Sequence, residues 1–544
     1  MKYRLLYIII ILHISLNLFA DTYPKDPRID VINYAYKITL SDATDKIEAE
    51  ATVEARFLAD GVTTLRLDLT NAGTDGKGMV VSKVTSEGKD LNYTHLNNVL
   101  LITLPATSRK HNRHAYTIIY SGIPATGLKT GKNKYGERTF FSDNWPDKGR
   151  QWLPMVDHPY DKATCAFIVT APAHYQVVSN GLKVEETDLP DGNRLTHWKQ
   201  SVPIAPWLYV LGVARFAVQE VDQFEGKSIQ TWVYHQDREA GFFDFAEPTK
   251  KVLAFYSDRI GPFAYEKLAN IQSNSVSGGM EAASAILYSE SCVVGDRNER
   301  WRNVVIHEIA HQWFGNAVTE YDWDDVWLSE GFATYFTLLF IEHQYGKDEF
   351  QKGLAKSKKT VDDFYAKNPD YRIIHNNLDD MNKVTTIQTY QKGSWTLHML
   401  RGILGDEVFW KGIRIYYSKY MNGHATTADF IRTMEETSGQ NLKTFFDQWL
   451  YKPGTLKIKG SWHYDATRKE LVMQLNQTQT DGSVFTMPIQ ADIRQAGKQI
   501  RKTITLTGKS NTISVPLDTA PTEITLDPDH WVLMDAVLTA AATK

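Results

Sequence analysis

Residues 304–315 have the sequence VVIHEIAHQWFG, in which two histidines are separated by three residues. Apolar residues at helical spacing and the final glycine predict a helix that ends at Gly315. A helix places His307 and His311 one turn apart on one face, where both imidazoles can bind one zinc ion. Glu308 lies beside the first histidine and can act as general base toward a water molecule on that metal. The same five-residue pattern also arises on amphipathic helices that bind no metal, so a third ligand has to decide.

Glu330, in the sequence WLSEGFATYF, can provide a third ligand. Eighteen residues separate it from His311. This segment is the start of another predicted helix. Two histidines and one glutamate leave the fourth position of a zinc ion open for water, as in a catalytic site. The alternative is that Glu330 only stabilises the first turn of its helix through the helix dipole. With the histidine pair upstream, we expect one Zn²⁺ per chain, bound by His307, His311 and Glu330.

A glycine-rich segment precedes the histidines, with Gly278, Gly279, Met280 and Glu281 in sequence. Two adjacent glycines permit close backbone approach, and an extended edge of this kind can bind a substrate backbone as an added strand. The glutamate at its end offers a carboxylate to a cationic amine. On its own, the segment could equally be a tight turn with a solvated glutamate.

Together these motifs have a family's order and spacing: GGME, then HEIAH some twenty-five residues later, then WLSEG after the eighteen-residue gap. In them the chain resembles the gluzincin aminopeptidases of the membrane-alanyl aminopeptidase type, the family that also includes leukotriene hydrolase. The resemblance implies that His307, His311 and Glu330 hold zinc, that Glu308 activates water, and that Glu281 binds the free amino group of a peptide. An asparagine usually follows the family's glutamate; here Ala282 stands in its place.

The resemblance implies two further site residues. The family uses a tyrosine about sixty residues beyond the last zinc ligand to stabilise the oxyanion, and Tyr390 in the sequence YQKGSW matches it. The alternative is an ordinary packed tyrosine, one of 27 in the chain. A second amine anchor normally comes from the β domain, where only Asp143 and Asn144 are available, and either residue could instead belong to a turn.

The pattern along the chain predicts an α+β protein of several domains. Alternating β-formers between turn residues indicate a β domain over 21–234, apolar residues at helical spacing indicate a mostly helical domain over 235–450, and short strands return over 451–544 as a small β-sandwich. Proline and glycine at 453 and 454 mark the second boundary. The resemblance implies that the first domain is a β-sheet saddle and that the helical domain is a thermolysin-like zinc domain.

Composition and the first residues bear on location and partners. A charged start and an apolar run over 1–20 predict a cleaved signal peptide rather than a spanning helix, with Asp21 near the mature start and export to a periplasm or the exterior. A net charge of −4 argues against nucleic acid as a partner. For Cys165 and Cys292, two buried free thiols are favoured over a disulfide.

These observations predict an exported zinc aminopeptidase that acts on peptides with a free N-terminus. Three alternatives stay open at this stage: a thermolysin-type endopeptidase, which needs no amine-binding carboxylate; epoxide hydrolysis beside peptide cleavage; and a non-catalytic binding protein on the same fold. The preferred first residue and the oligomeric state are not determined by the sequence.

Overall fold

The computed structural model of the chain describes residues 21–375, 378 and 380–541. The predicted signal peptide, residues 1–20, lies outside this part of the chain and stays a prediction. Within the described residues, no helix combines the length and the apolar character that crossing a membrane requires. Three regions follow one another along the chain: a β domain, a mostly helical domain and a second β domain.

The first domain consists of strands whose side chains alternate between a buried and a solvated face. In the strand over residues 47–57, for example, every second residue from Ile47 to Phe57 is buried. Eight strands form one mixed sheet in the order β13-β14-β11-β1-β2-β8-β4-β5, and smaller sheets of four and three strands pack with it. The strands are β1 (Ile29–Thr39), β2 (Ile47–Phe57), β3 (Thr64–Asp68), β4 (Gly78–Ser86), β5 (Lys89–Asp90), β6 (Tyr93–Leu96), β7 (Val99–Thr103), β8 (Arg113–Ile123), β9 (Leu128–Lys132), β10 (Arg138–Ser142), β11 (Ala163–Pro172), β12 (Gln176–Ser179), β13 (Leu182–Asp188), β14 (Asn193–Ile204) and β15 (Leu211–Ala214).

The second domain combines a five-stranded sheet, in the order β16-β17-β18-β20-β19, with eight helices within the described residues. Its elements are β16 (Phe216–Phe224), β17 (Lys227–Tyr234), α1 (Arg238–Arg259), β18 (Lys267–Ser273), β19 (Gly279–Met280), β20 (Ala285–Ser289), α2 (Glu299–His311), β21 (Val318–Glu320), α3 (Trp327–Tyr345), α4 (Lys347–Tyr365), α5 (Ile387–Leu404), α6 (Asp406–Tyr420), β22 (Gly423–Ala425), α7 (Thr427–Ser438) and α8 (Lys443–Leu450).

Strand pairing moves the boundary between these two domains. The sequence predicts one β domain up to residue 234, but β16 and β17 belong to the five-stranded sheet of the second domain, because β17 pairs in parallel with β18. The boundary therefore lies near residue 215. Strand pattern alone could not reveal this, since residues 216–234 alternate like the strands before them and only the partner strand assigns them.

Two glycines let helices α3 and α5 approach closely. A Cβ atom on Gly331 would lie 3.0 Å from Cα of Gly393, which is tighter than nine in ten Cβ contacts. Glu330 precedes the first glycine and Tyr390 lies one turn before the second, so this crossing brings the two side chains together. The glycine in the YQKGSW sequence thus has a packing role.

The third domain is a two-layered β structure, as the sequence predicts. Its two sheets have the orders β27-β24-β23-β29 and β26-β25-β28. The strands are β23 (Leu456–Asp465), β24 (Glu470–Gln477), β25 (Met487–Gln495), β26 (Lys498–Leu506), β27 (Ser510–Pro516), β28 (Glu523–Leu526) and β29 (Met534–Ala540). Cys165 and Cys292 are both buried and unpaired, which confirms the expectation of two free thiols.

The third domain is attached to helix α5 through His398. The Nε2 atom of this buried imidazole lies 3.0 Å from the carbonyl oxygen of His530, its Nδ1 atom lies 3.1 Å from the hydroxyl of Tyr335, and its ring stacks on Trp531. A neutral ring can donate to the carbonyl and accept from the hydroxyl at the same time. Burial lowers the pKa of His398 to about 3.

We expect His398 to make stability fall in acid. A base whose pKa is lower in the folded chain is protonated first in the unfolded chain, so its contribution is complete above pH 6.5 and is lost as the pH falls toward 3. Between pH 7 and pH 5, the unfolding free energy of the wild type should drop by about 2 kcal/mol more than that of His398→Gln. Urea unfolding at the two pH values measures the difference. Replacement of the exposed His463 is the control, and equal losses for wild type and His398→Gln would contradict the assignment.

Candidate metal centre

The two histidines of helix α2 and the glutamate of helix α3 converge on one point. The Nε2 atoms of His307 and His311 are 3.1 Å apart, and Oε2 of Glu330 lies 3.4 Å from the first and 3.2 Å from the second. In a tetrahedral zinc site with metal–ligand bonds of 2.0–2.1 Å, neighbouring ligand atoms are about 3.3 Å apart. The three donor atoms therefore have the separations that a zinc ion requires.

The surroundings of His311 fix which of its nitrogens faces this point. Its Nδ1 atom lies 3.1 Å from the carbonyl oxygen of Phe314, which can only accept, so in the neutral ring Nδ1 carries the proton and Nε2 presents its lone pair. Gly315 has a positive φ of 105°, and a Cβ atom there would lie 2.2 Å from Oγ of Ser329. The glycine that ends the metal-binding segment thus lets the chain turn back against helix α3.

The buried carboxylates around the histidines favour the binding of a cation. Glu281, Glu308 and Glu330 are all buried, and ligand atoms of Glu281, Glu308 and His311 lie within 4.8 Å of one another. Burial lowers the pKa of His311, but Glu281 and the other carboxylates outweigh it and raise that pKa to about 10. Burial raises the pKa of Glu330, but His311 and His307 outweigh it and lower that pKa to about 2. A divalent cation would balance this buried negative charge.

Glu308 is positioned by the glycine-rich strand. A Cβ atom on Gly279 would lie 2.2 Å from Oε1 of Glu308, so only glycine allows β19 to pass at this distance. No atom lies within 4 Å of the corresponding position on Gly278. Burial raises the pKa of Glu308, with further contributions from Glu281 and Glu330.

Glu281 is held through its backbone, and its carboxylate is left without a full set of partners. Its carbonyl oxygen accepts hydrogen bonds from Nε2 of Gln312 at 3.0 Å and Nδ2 of Asn316 at 2.6 Å. Oε1 has no hydrogen-bond partner within the described part of the chain. Ala282, which is buried, offers no side-chain amide here, so Gln312 and Asn316 provide the amide groups at this end of the segment.

Tyr390 lies against the metal ligands. Its hydroxyl donates to Oε1 of Glu330 at 2.7 Å, and its ring stacks over His307 with centroids 6.1 Å apart. Burial and the neighbouring Glu330 raise the pKa of Tyr390 well above its usual value. The phenol therefore stays protonated and remains a hydrogen-bond donor.

These residues line one cleft with a volume of about 840 Å³. The β domain contributes Trp145, whose ring contacts those of Trp207 and Trp323 edge-on at 5.7 and 5.2 Å. The sequence does not predict this residue, because the resemblance implies an acid or an amide in this segment.

Neither suggested amine anchor lies in the cleft. Asp143 forms a partly exposed ion pair with Lys148, at 3.0 Å. Asn144 is buried and binds the backbone of Tyr209 and the indole N–H of Trp152. Asn144 therefore has a structural role in the β domain, and Trp145 next to it is the residue of this segment that lines the cleft.

Comparison with known families and proteins agrees with this arrangement. The model of the Peptidase M1 N-terminal domain matches residues 32–208, and that of the Peptidase family M1 domain matches residues 245–449. Glutamyl aminopeptidase from Mus musculus is 28% identical over 350 residues, which are 61% of this chain and 36% of that protein. The Sus scrofa protein of the same name is 27% identical over 72% of this chain and 43% of its own length. The chain thus spans about two fifths of these relatives.

The fold also matches a solved structure. An M1 zinc metallopeptidase from Deinococcus radiodurans aligns with a TM-score of 0.67 and 24% identity, over 78% of this chain and 93% of that one. At this identity the likeness concerns the fold alone.

We expect purified protein to contain about one zinc ion per chain, measured by elemental analysis. His307→Ala and His311→Ala should lose the metal, because each removes one of three ligands. Glu308→Gln is the matched control, since it alters a neighbouring residue of the same helix that is not a ligand, and it should retain zinc. Full zinc content in both alanine variants would contradict the ligand assignment.

Proposed function

Because the chain belongs to peptidase family M1, we propose that it is a zinc-dependent aminopeptidase that removes single residues from the free amino end of peptides. The observation that carries the proposal is Glu281, a buried carboxylate beside the metal ligands whose Oε1 has no hydrogen-bond partner among the described residues. Such a group is costly to bury unless a cation meets it. The α-ammonium group of a peptide is a suitable cation.

His307, His311 and Glu330 would hold the zinc ion. When bound, zinc supplies polarisation of the scissile carbonyl group and lowers the pKa of a coordinated water molecule. Its chemistry is therefore that of a Lewis acid in hydrolysis.

Glu308 would act as the proton carrier. Its carboxylate lies next to His307 along the helix and faces the glycine-rich strand, so it can accept a proton from the attacking water and pass it to the nitrogen of the leaving peptide. The two transfers leave Glu308 in its original state after each turnover.

Tyr390 and the glycine-rich strand would orient the substrate. The protonated phenol can donate a hydrogen bond to the carbonyl oxygen as that oxygen gains charge. Strand β19 lies at the edge of its sheet, so its outer backbone groups can pair with an extended peptide. With the ammonium group at Glu281, only the first peptide bond lies over the metal ligands.

The substrate's amino end provides the test against a thermolysin-type endopeptidase. A peptide acetylated at its N-terminus should be a very poor substrate, because capping removes the charge that Glu281 binds. The free peptide should be shortened one residue at a time, as read by mass spectrometry. Glu281→Ala should strongly lower kcat/KM for the free peptide and scarcely change the low rate on the capped one. Internal cleavage of the capped peptide at the rate of the free one would favour the endopeptidase.

The contact between Gly279 and Glu308 generates a second test. Gly279→Ala would displace the carboxylate of Glu308, and we expect kcat to fall by roughly 10²-fold while zinc stays bound. Gly278→Ala adds the same methyl group one residue earlier, where nothing lies within 4 Å, and should cause a much smaller loss. Steady-state kinetics with zinc analysis of both variants measures this. Equal losses in the two variants would show that the contact with Glu308 is not the cause.

A further inference from the structure

The cleft has opposite charges at its two ends, and helix α2 extends from one end to the other. Glu281 is bound to Gln312, just beyond the C-terminal end of the helix. At the other end, Arg300 and Arg302 lie in the first turn and line the same cleft. Gln312 lies ten positions after Arg302, which corresponds to about 15 Å at 1.5 Å per residue.

Four cations line the cleft, and the charge of Glu299, in the first turn of helix α2, acts on Lys352, so the cations of the two helices meet at the end far from Glu281. Arg300 and Arg302 come from helix α2, and Lys352 and Lys356 come from helix α4. Two carboxylates, Glu299 and Glu349, lie in the same part of the cleft and leave an excess of two positive charges. The N-terminus of helix α2 adds to this positive potential.

Most of these cations are not engaged by protein carboxylates. Lys352 contacts Glu349 at 2.7 Å. Arg302 binds only the side-chain oxygen of its neighbour Asn303 and lies over the ring of Tyr345. Among the ion pairs of the described residues, none involves Arg300, Arg302 or Lys356. Three cations therefore face the cleft available for an anionic ligand.

The wall between the two ends is partly apolar. Val304 of helix α2 and Leu338 and Ile341 of helix α3 line the cleft. An extended peptide that starts at Glu281 would pass the metal ligands, then this apolar wall, and then reach the cations. An extended chain covers about 3.3–3.6 Å per residue, so 15 Å corresponds to roughly four residues.

We propose that this basic end binds a carboxylate of the substrate, chiefly the C-terminal carboxylate of peptides of about four residues. The proposal rests on the proposed aminopeptidase function and adds its substrate class: short peptides with both ends free. A carboxylate here can also come from an acidic side chain at the fourth position of a longer peptide. The two sources share one chemistry and differ in where the carboxylate is attached.

The experiment measures the cleavage of matched peptides by the holoenzyme at low ionic strength. A leucine-initiated tetrapeptide is tested as the free acid and as the C-terminal amide, and we expect kcat/KM for the acid to be higher by about fivefold, mainly through KM. A tetrapeptide amide with glutamate at position four separates the two sources of the carboxylate. If its kcat/KM equals that of the free acid, the site binds any carboxylate at this distance. If its kcat/KM equals that of the plain amide, the site binds the chain terminus. The advantage of the acid should be largest near four residues and should vanish for decapeptides.

The double variant Arg302→Gln/Lys356→Gln should reduce the acid-to-amide ratio to about one, with the amide as its internal reference. Lys359→Gln is the control, because this lysine of helix α4 does not line the cleft and pairs with Asp363. A leucyl anilide, which has no carboxylate, tests the proposed function separately. If the anilide is cleaved while acid and amide react equally in the wild type, the carboxylate site is overturned and the aminopeptidase function stands. If no free-amino substrate is cleaved, the function itself fails.

Discussion

Buried negative charge is the constraint on which the rest of this structure depends. Glu281, Glu308 and Glu330 are all desolvated around His307 and His311, and the pKa of Glu281 is raised by burial in spite of His311. Packed side chains alone cannot make such a cluster favourable. A metal ion at the histidines and a substrate cation at Glu281 together would. In the proposed function, two positive charges from outside the chain would thus balance the site.

Keeping these groups close requires backbone segments to approach one another without side chains. Gly279 passes over Glu308, Gly315 turns the chain after His311, and Gly331 meets Gly393 where α3 crosses α5. Gly315, Gly331 and Gly393 lie within a few residues of the site residues His311, Glu330 and Tyr390, whereas Gly279 is distant from Glu308 in the sequence and meets it only in the fold. A larger residue at any of these glycines would displace a side chain or a backbone segment of the site. The geometry of the site therefore depends on the glycines as well as on the ligands.

Local pattern predicted the part of the site that lies on single helices and strands. The spacing of His307 and His311 reflects geometry within one helix and is visible in the sequence, whereas Tyr390 is expected only from the family resemblance. Pairing between distant segments is not visible in this way. The assignment of residues 216–234 depended on which strand β17 joins, and the aromatic wall at Trp145 depended on how the β domain packs against Trp323. Both findings follow from tertiary contacts that no local pattern encodes.

The β domain also explains why the cleft would accept a chain terminus rather than the middle of a chain. Its Asn180 binds the carbonyl oxygen of Ala283 at 2.7 Å, and buried Lys162 binds the carbonyl oxygens of Asn316 and Ala317. The space behind Glu281 is therefore filled by protein that is bonded to the glycine-rich segment and to the turn after helix α2. A peptide that extended past Glu281 on its N-terminal side would meet these groups before an internal peptide bond could reach the metal ligands. In the proposed function, charge at Glu281 and exclusion by the β domain would thus act on the same end of the substrate. The β domain would still exclude an N-terminal extension if the Glu281 carboxylate were removed. Loss of Glu281 alone would therefore lower the aminopeptidase activity without producing an endopeptidase.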